Sequence, residues 1–459
     1  MSKRVGFLCL LVAYLKLVSA AQTAAPANNA PAASTPSAPN LPTAPPPHTQ
    51  PAPGTRTLTL AEAEQLALKN NPKVSVARLS AFASQQVARE VRSALWPSSV
   101  GYLTAVEPHD GSRISAGGLN NPIIFERAAG GTLFSQLITD FGRTTNLSSS
   151  ASLRARAEDQ NAIATKQQVL LAVDQSFYTA LQAQAVLQVA QQTVSARQDV
   201  ADQIEALFKS NLKSELDASF ARVNLAQAQL LLLDAQNNIS TAMANLSAVL
   251  GYATLQNFTL AEPAEPITAP PAQVEPLISE AFTSRPEIRS LQLEYQAAQK
   301  FRTAERDLML PSVRALGAVG GAPVRDPRLS NWFGAVGVNV EVPIFNGFLY
   351  SARSQEAELR AQAAHDRLLD LQNRVSRDVR TSWLNANSAY QRMSVTQQLL
   401  SQANLALNLA QTRYNLGLAS IVELSQAQLQ QTQALIGNTQ AGYDYRFAAA
   451  TLRFQTTGL

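Results

Sequence analysis

"YNLGLASIVELSQAQ", residues 414–428, interrupts a long helical pattern with a single glycine. From Phe348 to Leu416 the chain holds neither glycine nor proline, then Gly417 stands alone and the helical pattern resumes. An earlier stretch, "FKSNLKSELDASFARVNLAQ" (208–227), repeats the arrangement with Asn211 at the glycine position. Asparagine is among the few other residues that tolerate left-handed backbone angles. Each stretch therefore reads as a reversal between two helices. The helix entering each turn would hold about 65 residues, roughly 100 Å at 1.5 Å per residue, far longer than a globular domain requires.

Working outward, the two turns belong to a repeat, the first feature to seek in any chain. Asn71-Pro72 and Trp96-Pro97 match Arg285-Pro286 and Leu310-Pro311 at an offset of 214. Asp140-Phe141-Gly142 matches Phe345-Asn346-Gly347 at 205, while Phe208, Asn211, Asp217 and Leu246 match Tyr414, Gly417, Glu423 and Leu452 at 206. The chain thus divides into a first structural repeat, 57–259, a Pro-rich connector, 260–276, and a second repeat, 277–459.

Each half opens with helix. Thr59 and Glu62 have the spacing of a capping box, as do Ser284 and Glu287. Second helices begin at Pro72 and Pro286, where a missing N–H costs nothing, and stop at Pro97 and Pro311. Two strands follow in each half: "SSVGYLTAVE" (98–107) and "GGTLFSQLITDFG" (130–142), then "PSVRALGAVGGA" (311–322) and "FGAVGVNVEVPIF" (333–345). In the last, Val336, Val338, Val340 and Val342 alternate with smaller or polar residues, giving one apolar and one polar face. "PHDGSRISAGGLNNP" and "APVRDPRLSN" read as the loops between strands. Helix fills the rest. Residues 143–250 contain no Gly or Pro, and Val186, Val189, Thr193, Ala196, Val200, Ile204 and Leu207 form a heptad-like stripe.

The N-terminus is of another kind. Lys3 and Arg4, the apolar "VGFLCLLVAY" and Val18-Ser19-Ala20 form a secretory signal peptide, 1–20. Residues 21–56, dominated by Ala, Pro, Thr and Asn, read as a disordered linker. Cys9, the one cysteine, lies in the signal, so the mature chain has no disulfide and no thiolate metal site. The net charge of +4 is spread without a basic stripe and gives no support for nucleic-acid binding. His48, His109 and His365 are not at metal-ligand spacing, and no serine or carboxylate array accompanies them, so neither catalytic residues nor cofactors are expected.

Four strands with an apolar face cannot close a barrel alone, and the smallest membrane barrels have about eight. An open edge in lipid leaves unpaired N–H and C=O groups. Strands entering a membrane must therefore be pooled from several chains. Asn339 and Glu341 would then face a wet lumen and the valines the lipid.

In these residues, and in "VPIFNG" closing the last strand with "YNLG…SIVEL…AQ" beyond it, the chain resembles the TolC-like outer-membrane efflux proteins, or outer membrane factors, over residues 57–459. The resemblance implies a mainly α fold with a small membrane β part: long α-helical hairpins in an α-barrel through the periplasm, and four strands per chain in a shared trimeric 12-stranded β-barrel. It implies a homotrimer in the outer membrane, contacting its lipid. Such a trimer is a passive exit duct for a tripartite efflux or type I secretion system, joined by a periplasmic adaptor to an inner-membrane pump. It is not an enzyme.

The resemblance also assigns roles. The turn residues Asn211, Leu212 and Ser214, with Gly417, Leu418 and Ser420, would form the adaptor-docking tips. Asp217 and Glu423, each six positions past the turn residue, and Gln426 would line the aperture. Pro97 and Pro311 would mark the helix–strand junctions. The family often has a basic residue and a second carboxylate where Ala419 and Gln426 stand here. A charge-paired lock and a doubled acidic ring thus lack their usual residues, which leaves three copies of Glu423 as one constriction. The competing function is an exported structural coiled-coil surface protein, which has no use for matched strand pairs in both halves.

Overall fold

A computed structural model of the chain describes residues 56–107, 109, 126–256, 258–263, 266–325 and 330–458. The expected signal peptide, the linker up to residue 55, nearly all of the 108–122 loop and part of the 322–331 loop lie outside the described residues.

The first half runs β1 (Arg56–Leu58), α1 (Leu60–Asn70), α2 (Pro72–Ser93), β2 (Ser98–Val106), β3 (Arg127–Thr139), α3 (Arg143–Lys209) and α4 (Glu215–Val249). The second runs β4 (Phe258–Leu260), α5 (Glu275–Ser284), α6 (Pro286–Arg306), a 3-10 turn (Asp307–Met309), β5 (Ser312–Val324), β6 (Trp332–Glu341), α7 (Leu349–Asn415) and α8 (Ile421–Thr456). The long helices α3 and α7 hold 67 residues each, about 100 Å. Each packs against its hairpin partner, α4 or α8, and α3 also runs along α2, α6 and α8. Among the described residues no helix is long and apolar enough to cross a membrane.

Small residues set these contacts. Ser150 Oγ donates to the Ala297 carbonyl at 2.8 Å and Ser290 Oγ to the Ala157 carbonyl at 3.1 Å, which needs α3 and α6 in close approach. Farther along α3 a belt of larger groups forms the main core: Val169, Val173, Phe177 and Leu181 with Leu58, Ala67, Leu246, Leu250 and Leu260. The strands β1 and β4, three residues each, pair in parallel across this belt. Sequence reading gave no hint of them, since three residues are too few to show a period.

The sheet order is β2-β3-β5-β6, all antiparallel. Both β2 and β6 are edges. On β6 every residue is exposed, with Val336 at 94%; Leu103 on β2 is at 92%. One rung crosses all four strands as Tyr102, Gly131, Gly320 and Phe333. The Phe333 ring lies over the two glycines, so that a Cβ built on Gly131 would stand 2.9 Å from its Cζ.

The repeat is tighter than sequence matching suggests. Asp140 Oδ2 accepts from the Thr144 N–H at 2.8 Å, and Asn346 Oδ1 from the Tyr350 N–H at 3.5 Å. Left-handed pairs follow each: Phe141 and Gly142, then Gly347 and Phe348. The aligned residues are therefore Asp140 with Asn346, at offset 206. This corrects the 205 read from the shared "FG"/"NG" lettering. The Thr59–Glu62 capping box is formed in both directions. The expected Ser284–Glu287 box is not: Ser284 ends α5, Arg285 is the N-cap, and Glu287 pairs with Arg285 at 3.4 Å. The helices before Pro97 and Pro311 end earlier than expected, at Ser93 and Arg306, with a last tight turn before each strand. In the α3 stripe Val189 and Ile204 are buried, but Ala196 is exposed and Arg197 takes its place in the seam.

Candidate gate at the tips of the helical hairpins

Both hairpins reverse by the same backbone device. At the end of α3, the Leu212 N–H donates to the Leu207 carbonyl at 2.8 Å and the Asn211 N–H to Phe208 at 2.9 Å. At the end of α7, Leu418 donates to Arg413 at 2.8 Å and Gly417 to Tyr414 at 3.0 Å. This Schellman pattern needs a left-handed residue at its corner. Asn211 supplies it with φ 58° and Gly417 with φ 75°. Leu212 and Leu418, 70% and 68% exposed, stand at the extreme end of each hairpin.

The next residues start the returning helices. Ser214 and Ser420 are the N-caps of α4 and α8. Asp217 N–H donates to Ser214 Oγ at 3.2 Å, and the Asp217 carboxylate accepts from the Ser214 N–H at 3.1 Å, a complete capping box. Glu423 N–H likewise donates to Ser420 Oγ at 3.3 Å. The Glu423 carboxylate turns away instead to Arg413, whose Nη1 lies 3.0 Å from it. The acidic residue six positions past each corner is thus the N3 residue of the second helix, where a carboxylate also suits the helix dipole.

The structure brings Asp217 and the second hairpin together. The Tyr414 hydroxyl donates to Asp217 Oδ1 at 3.5 Å, and the Lys213 ammonium sits 4.0 Å from the centroid of the same ring. Burial, reinforced by the Asp217 charge and hydrogen bond, pushes the Tyr414 phenol up to about 12, so it remains a neutral donor. Beneath lies an apolar plug of Ile204, Ala218, Tyr414, Ile421 and Leu424 drawn from all four helices. Gln426 is exposed and Glu423 half-exposed. Pro97 and Pro311 stand immediately before β2 and β5, at the far end of the molecule.

Sequence reading missed Arg413, Lys213 and the bonding role of Tyr414. Arg413 was findable as the basic residue in the last turn of a helix. A Schellman corner folds that turn back beside the next N-cap, so a last-turn cation reaches an N3 carboxylate. The position Ala419 leaves empty of charge is served from the other side of the turn.

Comparison with known proteins agrees with this architecture. Residues 64–252 and 277–458 match the family model for outer membrane efflux protein. The chain is 23% identical over 411 residues to the outer membrane protein TolC of Vibrio cholerae, covering 86% of this chain and 89% of that protein. It is 21% identical over 402 residues to the outer membrane efflux protein BepC of Brucella suis, covering 86% and 84%. Among solved structures, a membrane protein from Pseudomonas aeruginosa shares the fold with a TM-score of 0.75 at 20% identity, over 87% of this chain and 93% of that one.

Proposed function

The chain belongs to the outer membrane efflux protein family, and from that premise we propose that it is the outer-membrane exit duct of a tripartite efflux or type I secretion system. One observation carries the reading: a four-stranded sheet with two unpaired edges and an exposed apolar face, joined to hairpins about 100 Å long. An open edge in lipid costs several kcal/mol per unpaired group. Three copies supply twelve strands and close the ring, with Val336, Val338 and Leu103 toward lipid and Asn339 and Glu341 toward the lumen. The hairpins then continue as a tube into the periplasm.

In this reading the duct has no chemistry of its own, and a partner pump in the inner membrane supplies the energy. The aperture is at the hairpin tips, where Asp217, Glu423 and Gln426 lie near the constriction. A periplasmic adaptor docks on Asn211, Leu212, Ser214, Gly417, Leu418 and Ser420 and opens the tip by favouring parted hairpins. Cell fractionation and unboiled gel electrophoresis test this directly: a heat-dissociable trimer in the outer-membrane fraction is expected, and a soluble periplasmic monomer refutes it. Glu423→Ala is expected to change single-channel conductance and weaken cation selectivity; no change in either removes Glu423 from the aperture. Cross-linkers for capturing the adaptor belong at Leu212 and Leu418, which are exposed, rather than at the helix-capping Ser214 and Ser420.

A further inference from the structure

Above the tips, the two hairpins of one protomer meet again through a contact that uses no carboxylate. Arg197 of α3 precedes Asn211 by fourteen residues, about 20 Å along the helix. Its Nη2 donates to the Gln428 carbonyl at 3.1 Å and to Thr432 Oγ1 at 3.3 Å, both on α8. Gln428 and Thr432 are buried, and the Thr432 hydroxyl donates to the same carbonyl at 3.0 Å. One turn nearer the tip, Asn224 Nδ2 of α4 donates to Ser425 Oγ at 2.8 Å. The helix α8 is thereby tied to both helices of the first hairpin. Burial lowers the pKa of Arg197 from its ordinary value, a desolvation that a surface arginine does not bear.

The tier below differs in kind. There the bond between hairpins is Tyr414 to the Asp217 carboxylate, while the Arg413–Glu423 pair closes the second hairpin on itself, both at partly or largely exposed sites that salt screens readily. Between the tiers lies the apolar plug of Ile204, Ala218, Ile421 and Leu424. A half-buried guanidinium on neutral acceptors keeps its bonds when the charges below are screened or removed, because none of its partners carries charge.

We propose that Arg197 is a positioning residue of the gate: a fixed joint that holds α8 in register on α3 while the tips below it part. This rests on the duct reading above. Opening is then bounded, with the hairpins flexing below Arg197 instead of separating along their whole length.

Purified channels in planar bilayers test the joint. Tyr414→Phe removes the hydroxyl that joins the hairpins at the tips and is expected to give one conductance level above that of the wild type. Adding Arg197→Leu removes hydrogen bonds to a charged donor, which should raise the population of wider levels roughly tenfold. Arg197→Lys, which keeps one charged donor, should restore most of the single level, a rescue that a packing role would not give. Thr432→Val removes only the hydroxyl and should shift the levels in the same direction by less, so it decides the matter if the leucine variant fails to assemble. Unchanged levels in every assembled variant overturn the joint. If the wild type forms no channel, the proposed duct falls instead.

Discussion

Replacing Asp174 by asparagine should remove a pH dependence that the wild-type protein carries. Asp174 is 2% exposed on α3, inside the core with Val173, Phe177 and Leu246. Burial first, then the charge and hydrogen bond of Glu64 on α1, raise its pKa to about 7, against a smaller lowering by Arg453 on α8. One of its oxygens, Oδ1, has no hydrogen-bond partner. The folded value thus lies above the unfolded one, so the protonated form is the one folding favours. That stability is fully present below pH of about 4 and is lost as pH rises through about 7. A gap of roughly three units at 1.36 kcal/mol each sets a ceiling of about 4 kcal/mol. The consequence falls on α1, which Asp174 and Glu64 join to α3. Hydrogen-exchange protection of Leu60–Asn70, corrected for intrinsic rates, should fall by more than about tenfold between pH 5 and pH 8. In Asp174→Asn, which mimics the protonated acid, it should stay level. Equal pH profiles for the two proteins, or wild-type protection that climbs toward pH 8, would refute the reasoning.

Three further outcomes follow from the geometry. Gly417→Ala should cost about 1–2 kcal/mol in unfolding experiments, since the corner is left-handed and the space around it open, whereas Asn211→Ala should cost less because Asn211 already carries a Cβ; an Asn211→Ala cost above that of Gly417→Ala would mean that the first corner is held by something besides its backbone. Gly320→Ala should abolish the unboiled trimer band, and Phe333→Ala should not restore it. The added Cβ meets the Gly130 carbonyl and the Gly131 Cα as well as the ring. Arg413→Ala should change stability by less than about 1 kcal/mol, because the Arg413–Glu423 pair is largely solvated, yet should alter conductance alongside Glu423→Ala; a silent Arg413→Ala would sever that pair from gating.

Most of the architecture was written in sequence patterns that physics makes obligatory. The absence of Gly and Pro over more than a hundred residues dictates long helices, and Asn211 and Gly417 dictate where they reverse. Valine alternation from 336 to 342 dictates the strand. Other features have no local signature. The parallel pair β1 and β4 joins residues two hundred positions apart through strands of three residues each. Ser284 has capping-box spacing, but a proline two residues on moves the cap to Arg285. Ala196 fits a heptad, yet a straight helix drifts from that period, and Arg197 reaches the seam instead. At the candidate gate, sequence marked Asp217 and Glu423 through resemblance. Of their partners, Arg413 is marked by its place in the last turn of a helix, whereas the bond of Tyr414 becomes visible only once the packing of four helices brings it to Asp217.

The constant offset of 206 has a consequence for how this chain can change over time. From Asp140 with Asn346 through Ser214 with Ser420, the halves have replaced most side chains without gaining or losing one residue. Each inserted or deleted residue in α3 or α7 would turn everything beyond it by about 100° and shift it by 1.5 Å. Every later contact with the neighbouring helix would then face the wrong way. Substitutions alter one contact at a time and are absorbed singly, whereas a change of length must be mirrored in the partner helix of the hairpin. Length, more than letters, is the inherited quantity in this molecule.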